Sequence, residues 1–117
     1  MVVETADQEH VSRVFSALSD ATRRDIVVHV LQHECSVSAL ARHYPMSFAA
    51  IQKHVAVLER AALVTKHRHG REQLVRANIV TVHRAAMALR ELEALWRDRI
   101  DRMSDILNEP EEGKRVP

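Results

Sequence analysis

Apolar residues recur at helical spacing along most of the chain and at strand spacing only between 63 and 77. Val11, Val14, Phe15 and Leu18 predict a first helix over 8–18. Ile26, Val27, Val30 and Leu31 predict a second, opened by Ser19 or Asp20 and running to Leu31. Ser36 can cap a third over 37–44, with Val37, Leu40 and Ala41 inward and Pro45 ending it. Ser47 can cap a fourth over 47–61, where Ile51, Val55 and Leu58 fall at i, i+4 and i+7. Residues 63–67 and 72–77 are β-prone arms about a turn holding Gly70, the residue type that tolerates positive φ. The longest helix should span 79–107, with Val82, Ala85, Leu89, Leu92, Trp96, Ile100, Met103 and Leu107 on one stripe.

The fold class is therefore mainly α with a small β-hairpin, in the order α-α-α-α-β-β-α. Residues 1–107 read as one domain. Residues 108–117, with two prolines, a glycine and mixed charge, read as a flexible tail. Two short helices across a tight turn, the second longer and basic on its free side, are how a chain sets a helix into the DNA major groove. The arms over 63–77 are then a wing beside helix 47–61. The apolar stripe of the last helix is longer than one small core needs, which points to a partner helix. Glu93 with Arg97 and Asp98 with Arg102 stand at i, i+4 on its opposite face.

Composition removes several alternatives. Gly70 and Gly113 are the only glycines, so neither glycine-rich phosphate-loop pattern fits. No nucleophile with an oriented base, no paired carboxylates and no open metal site stand out, so the chain is not expected to be an enzyme or to carry a cofactor. A lone Cys35, no long apolar run and no cationic-then-apolar N-terminus lead to the expectation of a cytoplasmic protein that meets no membrane. The formal net charge is only +1, but its distribution is uneven. Between Arg42 and Arg84 eight cations meet Glu59 and Glu72 alone, a net of +6, leaving −5 for the remainder. A basic middle between acidic ends suits a phosphate-facing surface, although a solvated charged face has the same composition.

With Ile51, Val55 and Leu58 inward, Ser47, Phe48, Ala49, Gln52, Lys53 and Ala56 fall on or near the free side of the fourth helix. Gln52 is the best base reader, because its amide can bond N6 and N7 of adenine together. Lys53 suits phosphate, and Ser47 can combine capping with a phosphate contact. Phe48 can pack on a thymine methyl or inside the turn. His54 can touch DNA or pack beside the third helix. Arg68 and Arg71 bracket the wing turn and could enter the minor groove.

The run ALSDATRRDIVVHVL at 17–31 is similar to the second-helix signature of ArsR-type winged helix-turn-helix repressors. SVSALARHYPMSFAAIQKHVAVLERAALV at 36–64 resembles their helix-turn-helix: a Leu-Ala pair, a turn, a capping Ser, then Lys-His, a Leu and a small-small-Leu-Val ending. The resemblance covers about 14–77 and implies a homodimeric repressor of transcription at an inverted repeat in double-stranded DNA. It also implies assembly through the first and last helices, with Val11, Phe15, Leu89, Leu92, Trp96, Ile100 and Met103 as the candidate contacts. Phe48 departs from the polar or small residue such a family would place there.

The metal sites that the resemblance brings to mind are missing from the sequence. Ser36 and Ser38 stand where third-helix thiols would fall, and the last helix has His83 without a second histidine after it. His29 and His33, four apart, could join Cys35 or Glu34 around zinc, and His67 and His69 form another weak pair on one strand face. A helix-end histidine and a buried lone thiol account for most of these equally well, and Cys35 lacks a resolving partner for redox switching. The expectation is a repressor without a metal site, released by an unidentified small-molecule or protein effector, or by changing abundance. A winged helix used only for protein interaction, and a metal- or redox-responsive repressor using His29, His33 and Cys35, are the alternatives.

Overall fold

Short polar side chains start three of the helices. The computed structural model describes residues 6–108, and its elements are α1 (Ala6–Ala17), α2 (Ala21–Gln32), β1 (Cys35–Ser36), α3 (Val37–Ala41), α4 (Phe48–Arg60), β2 (Val64–His69), β3 (Glu72–Ala77) and α5 (Ile79–Asn108). Asp20 accepts from the Arg23 amide at 3.0 Å, Ser36 from Ala39 at 3.0 Å and Ser47 from Ala50 at 3.1 Å. Each satisfies a donor that helix geometry leaves without a partner. Between Ser19 and Asp20, the cap is Asp20; the Ser19 hydroxyl instead donates to the Ser16 carbonyl at 2.6 Å.

The described residues divide between Ala85 and Ala86. In the first unit Ile26, Leu40, Ile51, Leu58, Leu63 and Val75 are fully buried, with Val14, Val27, Val30, Val37, Val55 and Val64 around them. Phe15, Leu18 and Val82 pack partly buried against this cluster. Leu31, expected inward, is 44% exposed, since the core covers α2 at Ile26, Val27 and Val30 and the helix ends one residue later. The second unit, from Ala86, is the remainder of α5, where Glu93–Arg97 at 3.6 Å and Asp98–Arg102 at 3.5 Å form the expected i, i+4 pairs. Asn108, expected in the tail, closes α5, and the rest of that expected tail, 109–117, lies outside the described residues.

The expected hairpin forms and gains a third antiparallel strand. The sheet order is β1-β3-β2, with Cys35 opposite Val75 and Ser36 opposite Leu74. Two residues carry no readable alternation, so β1 is visible only through its pairing. The hairpin register runs from Val64 opposite Ala77 to His69 opposite Glu72, leaving Gly70 and Arg71 as a two-residue loop with Gly70 at φ +64°. Leu63, expected in the first arm, lies before β2 and is fully buried. Helix α3 is shorter than the expected 37–44. After Ala41 the chain tightens, with Arg42, His43 and Tyr44 amides bonded to the carbonyls of Ala39, Leu40 and Ala41. Pro45 disfavours helical backbone at Tyr44, and the turn is held from outside by the Tyr44 hydroxyl donating to Asp25 at 2.7 Å. Burial, then the Asp25 carboxylate, pushes the Tyr44 hydroxyl above its ordinary pKa.

Helix α4 ends in a paired closure: the Ala62 amide bonds the Glu59 carbonyl and the Leu63 amide bonds the Leu58 carbonyl, both at 2.9 Å. That geometry places Ala62 at φ +60°, a conformation glycine adopts without the side-chain clash. Ala62→Gly should therefore stabilise the fold by about 1 kcal/mol. Urea unfolding at neutral pH checks this; equal or lower stability would contradict a left-handed cap at this position.

Candidate nucleic-acid interface

The side chains that α4 buries determine which ones it offers. Ile51, Val55 and Leu58 are at most 1% exposed, and the opposite side leaves Ser47, Phe48, Ala49, Gln52 and Lys53 in solvent. Phe48 is 46% exposed rather than folded into the turn. With Gln52 it lines a cleft of about 190 Å³, completed by Val55 of α4, Val37 and Ser38 of α3, Lys66 of β2, Arg71 of the loop and Glu72 and Gln73 of β3, so one carboxylate stands among its cations. The structure thus brings Arg71 of the loop to one concave surface with Phe48 and Gln52, between the capped end of α4 and the hairpin.

Lys53, Arg68 and His54 do not line that cleft. Lys53 on α4 and Arg68 on β2 are exposed. The His54 ring is half-buried, with Nδ1 3.5 Å from an Arg23 guanidinium nitrogen and 3.9 Å from the Asp20 carboxylate. It therefore faces the start of α2, a neighbour not considered from sequence. Asp20 is held below the usual carboxylate range, first by the Arg23 amide and then by the charges of Arg23 and His54 against a smaller opposing effect of burial than the first of these.

Lys66 and Gln73 were not singled out in the sequence, and Ser38 was noted there only where a thiol is missing. Strand alternation carries the signal for the first two. Lys66 stands opposite Val75 and Arg68 opposite Gln73, so one sheet face groups Lys66, Arg68 and Gln73. Ion pairs also sort the cations of the basic segment. Lys66 meets Glu59 at 3.4 Å, Arg76 meets Glu34, and Arg84 meets Asp7 at 3.8 Å. Among the described residues no ion pair engages Lys53, Arg68 or Arg71, which leaves them available to an external anion.

The architecture matches solved structures over nearly the whole chain. An ArsR-like transcriptional regulator from Rhodococcus sp. RHA1 superposes with a TM-score of 0.77 at 31% identity, covering 91% of this chain and all of that one. This chain belongs to the ArsR family of winged helix-turn-helix regulators. Two curated transcriptional regulators are similar in sequence. The HTH-type transcriptional regulator Rv2034 of Mycobacterium tuberculosis is 42% identical over 52 residues, 44% of this chain and 49% of that protein. The transcriptional repressor SdpR of Bacillus subtilis is 32% identical over 59 residues, 50% of this chain and 66% of that protein. The matches therefore span about half to two thirds of these relatives' lengths. No protein-family model matches the chain. In ArsR terms α3 and α4 are the helix-turn-helix and β2–β3 the wing.

The residues weighed as metal ligands are not gathered. Helix α2 stops at Gln32, and His33 is its extended cap at φ −147°, so His29 and His33 do not share a helix face as expected. The His29 ring instead lies 4.6 Å from that of His43. His67 Nε2 is 2.9 Å from the Thr65 hydroxyl. Burial, then Glu34, raises the Cys35 thiol above its ordinary pKa, which disfavours the reactive thiolate. Among the described residues no three His, Cys, Asp or Glu side chains form a set able to hold a metal. No described helix is long and apolar enough to cross a membrane.

The Asp20 cap gives a pH dependence of definite sign. Its carboxyl is lowered in the folded chain, so the stabilisation is present above the unfolded carboxyl's range and is lost as pH falls through the folded value. Asp20→Ala should lower Tm at neutral pH, with the gap from the parent closing in acid. Asp20→Asn should keep the cap and lose that pH dependence. Thermal melts across the acid range check this, and a gap independent of pH would contradict it.

Proposed function

We propose that this chain is a homodimeric transcriptional repressor that binds an inverted-repeat operator in double-stranded DNA through α4 and the wing. The observation that carries the reading is the shared cleft of Phe48, Gln52 and Arg71, with Arg71, Lys53 and Arg68 engaged in no ion pair among the described residues. Gln52 reads a base edge, and Phe48 offers an apolar contact to a thymine methyl beside it. Ser47, Ala49 and Lys53 meet backbone phosphate at the start of α4, and His54 is at most a marginal contact. Arg68 and Arg71 follow the wing into the adjacent minor groove. No metal enters this reading, and the signal that releases the DNA is an unidentified small molecule or protein, or a change in abundance. The place of action is the cytoplasm.

The dimer is supported by what α5 leaves in water. Leu89, Leu92, Trp96, Ile100 and Met103 are 43–61% exposed. Fully burying one such side chain contributes roughly 1.5–3 kcal/mol, so the stripe withholds a sum comparable to the whole stability of a small domain, about 5–15 kcal/mol. A second copy of the same helix covers such a stripe with matching length and pattern. In the other candidate helix, Val11 and Phe15 are half-buried.

Selection of the purified protein on a random duplex pool at ~150 mM salt, where nonspecific phosphate binding is weakened, tests the reading. An inverted repeat with half-sites about one helical turn apart is the expected product. Gln52→Ala should relax preference at one base position per half-site, whereas Lys53→Ala or Arg71→Ala should weaken all sequences alike and flatten the salt dependence. Equal losses on every sequence for Gln52→Ala would remove its base-reading role. No enrichment from folded, dimeric protein would point to a surface for a protein partner.

Sedimentation tests the assembly separately. Trp96→Glu should yield monomer and weaken operator binding without touching DNA. A persistent dimer would exclude the α5 stripe as the interface.

A further inference from the structure

The residue that caps the end of α4 carries an unusual partner. Ala61 is 1% exposed, and a helix end leaves its final carbonyls without intrahelical donors. The carbonyls of Val57, Leu58 and Glu59 are taken by the amides of Ala61, Leu63 and Ala62. The Ala61 carbonyl is met by a side chain 51 residues away, Nε2 of His10 in α1, at 3.1 Å. The other ring nitrogen of His10, Nδ1, lies 3.1 Å from Nη1 of Arg84 in the first turns of α5. Arg84 in turn pairs with Asp7, one helical turn before His10.

The chemistry of the two partners fixes the proton. A guanidinium only donates and a carbonyl only accepts, so Nδ1 accepts from Arg84 and Nε2–H donates to Ala61. His10 is thus the neutral Nε2–H tautomer, with both nitrogens used. A residue on α1 caps the end of α4 while being held by α5, and three helices meet at one ring.

We propose that His10 is a positioning residue for DNA reading: it fixes the C-terminal end of α4 against α1 and the start of α5, and so sets the angle at which Gln52 is presented. The inference rests on the proposed reading of DNA by α4. Removing the ring leaves a buried carbonyl without a donor, a cost that falls on the closure of α4 and on no DNA contact. Glutamine preserves the pattern, since its amide nitrogen can donate to Ala61 and its oxygen can accept from Arg84.

Three measurements on the full chain test this. The ¹⁵N shifts of His10 in the free protein should report the Nε2–H tautomer. His10→Leu should bind the inverted-repeat duplex recovered by selection at least about tenfold more weakly while remaining dimeric, a loss near 1.4 kcal/mol, and His10→Gln should recover most of it. Amide exchange at Ala62 and Leu63 should accelerate in His10→Leu and not in His10→Gln. An Nδ1–H tautomer, parental affinity in His10→Leu, or His10→Gln behaving as His10→Leu would each overturn the proposal. If selection recovers no duplex, the DNA reading itself fails, and a positioning role for DNA falls with it. The tautomer and exchange results then decide whether the three-helix tie exists. If His10→Leu does not fold, the tautomer and the affinity of His10→Gln still decide.

Discussion

Burial of Ile51, Val55 and Leu58 against α2, α3 and β2 fixes the rotation of α4 about its axis, and the set of side chains that α4 turns outward follows from that rotation. A change of one residue in the phase would bring Gln52 inward, where its amide would need partners, and expose Ile51. The core therefore does more than stabilise the first unit. It selects which side chains of one helix meet solvent, and the Ser47 cap and the closure at Ala61–Leu63 set where that helix begins and stops.

The wing depends on the same core from the other side. Val64 and Val75 are buried, while β2 is exposed from Thr65 to its end. The strands are thus anchored at one end and solvated at the other, with the Gly70–Arg71 loop at the free tip. The cleft beside Phe48 and Gln52 is the space between an anchored helix and an anchored hairpin, so its shape is set by packing and not by the residues that line it.

Much of this was legible in the sequence because it is periodic. The four short helices, the turn at Pro45, the hairpin at Gly70 and the long α5 all announce themselves by spacing and by cap or turn residues, and the ArsR resemblance rests on those same positions. What escaped was tertiary. β1 is two residues long and exists only through Val75 and Leu74. His33 lies just past the end of α2 as an extended cap, so its four-residue spacing from His29 does not put the two rings on one helix face. His54 turns toward Asp20, His29 toward His43, and His10 toward Ala61, contacts between residues 14 to 51 positions apart that no periodic pattern encodes. Lys66 and Gln73 were recoverable from strand alternation once Arg68 had been noticed.

In the proposed complex one surface, the first half of α4 with the wing loop, meets DNA. Backbone amide shifts of the full chain on addition of a selected duplex test this contact. The largest changes are expected at Phe48–Lys53 and at Arg68–Arg71, with α1 and α2 little affected. Changes centred on α1 or α2, with α4 and the wing loop unmoved, would contradict it.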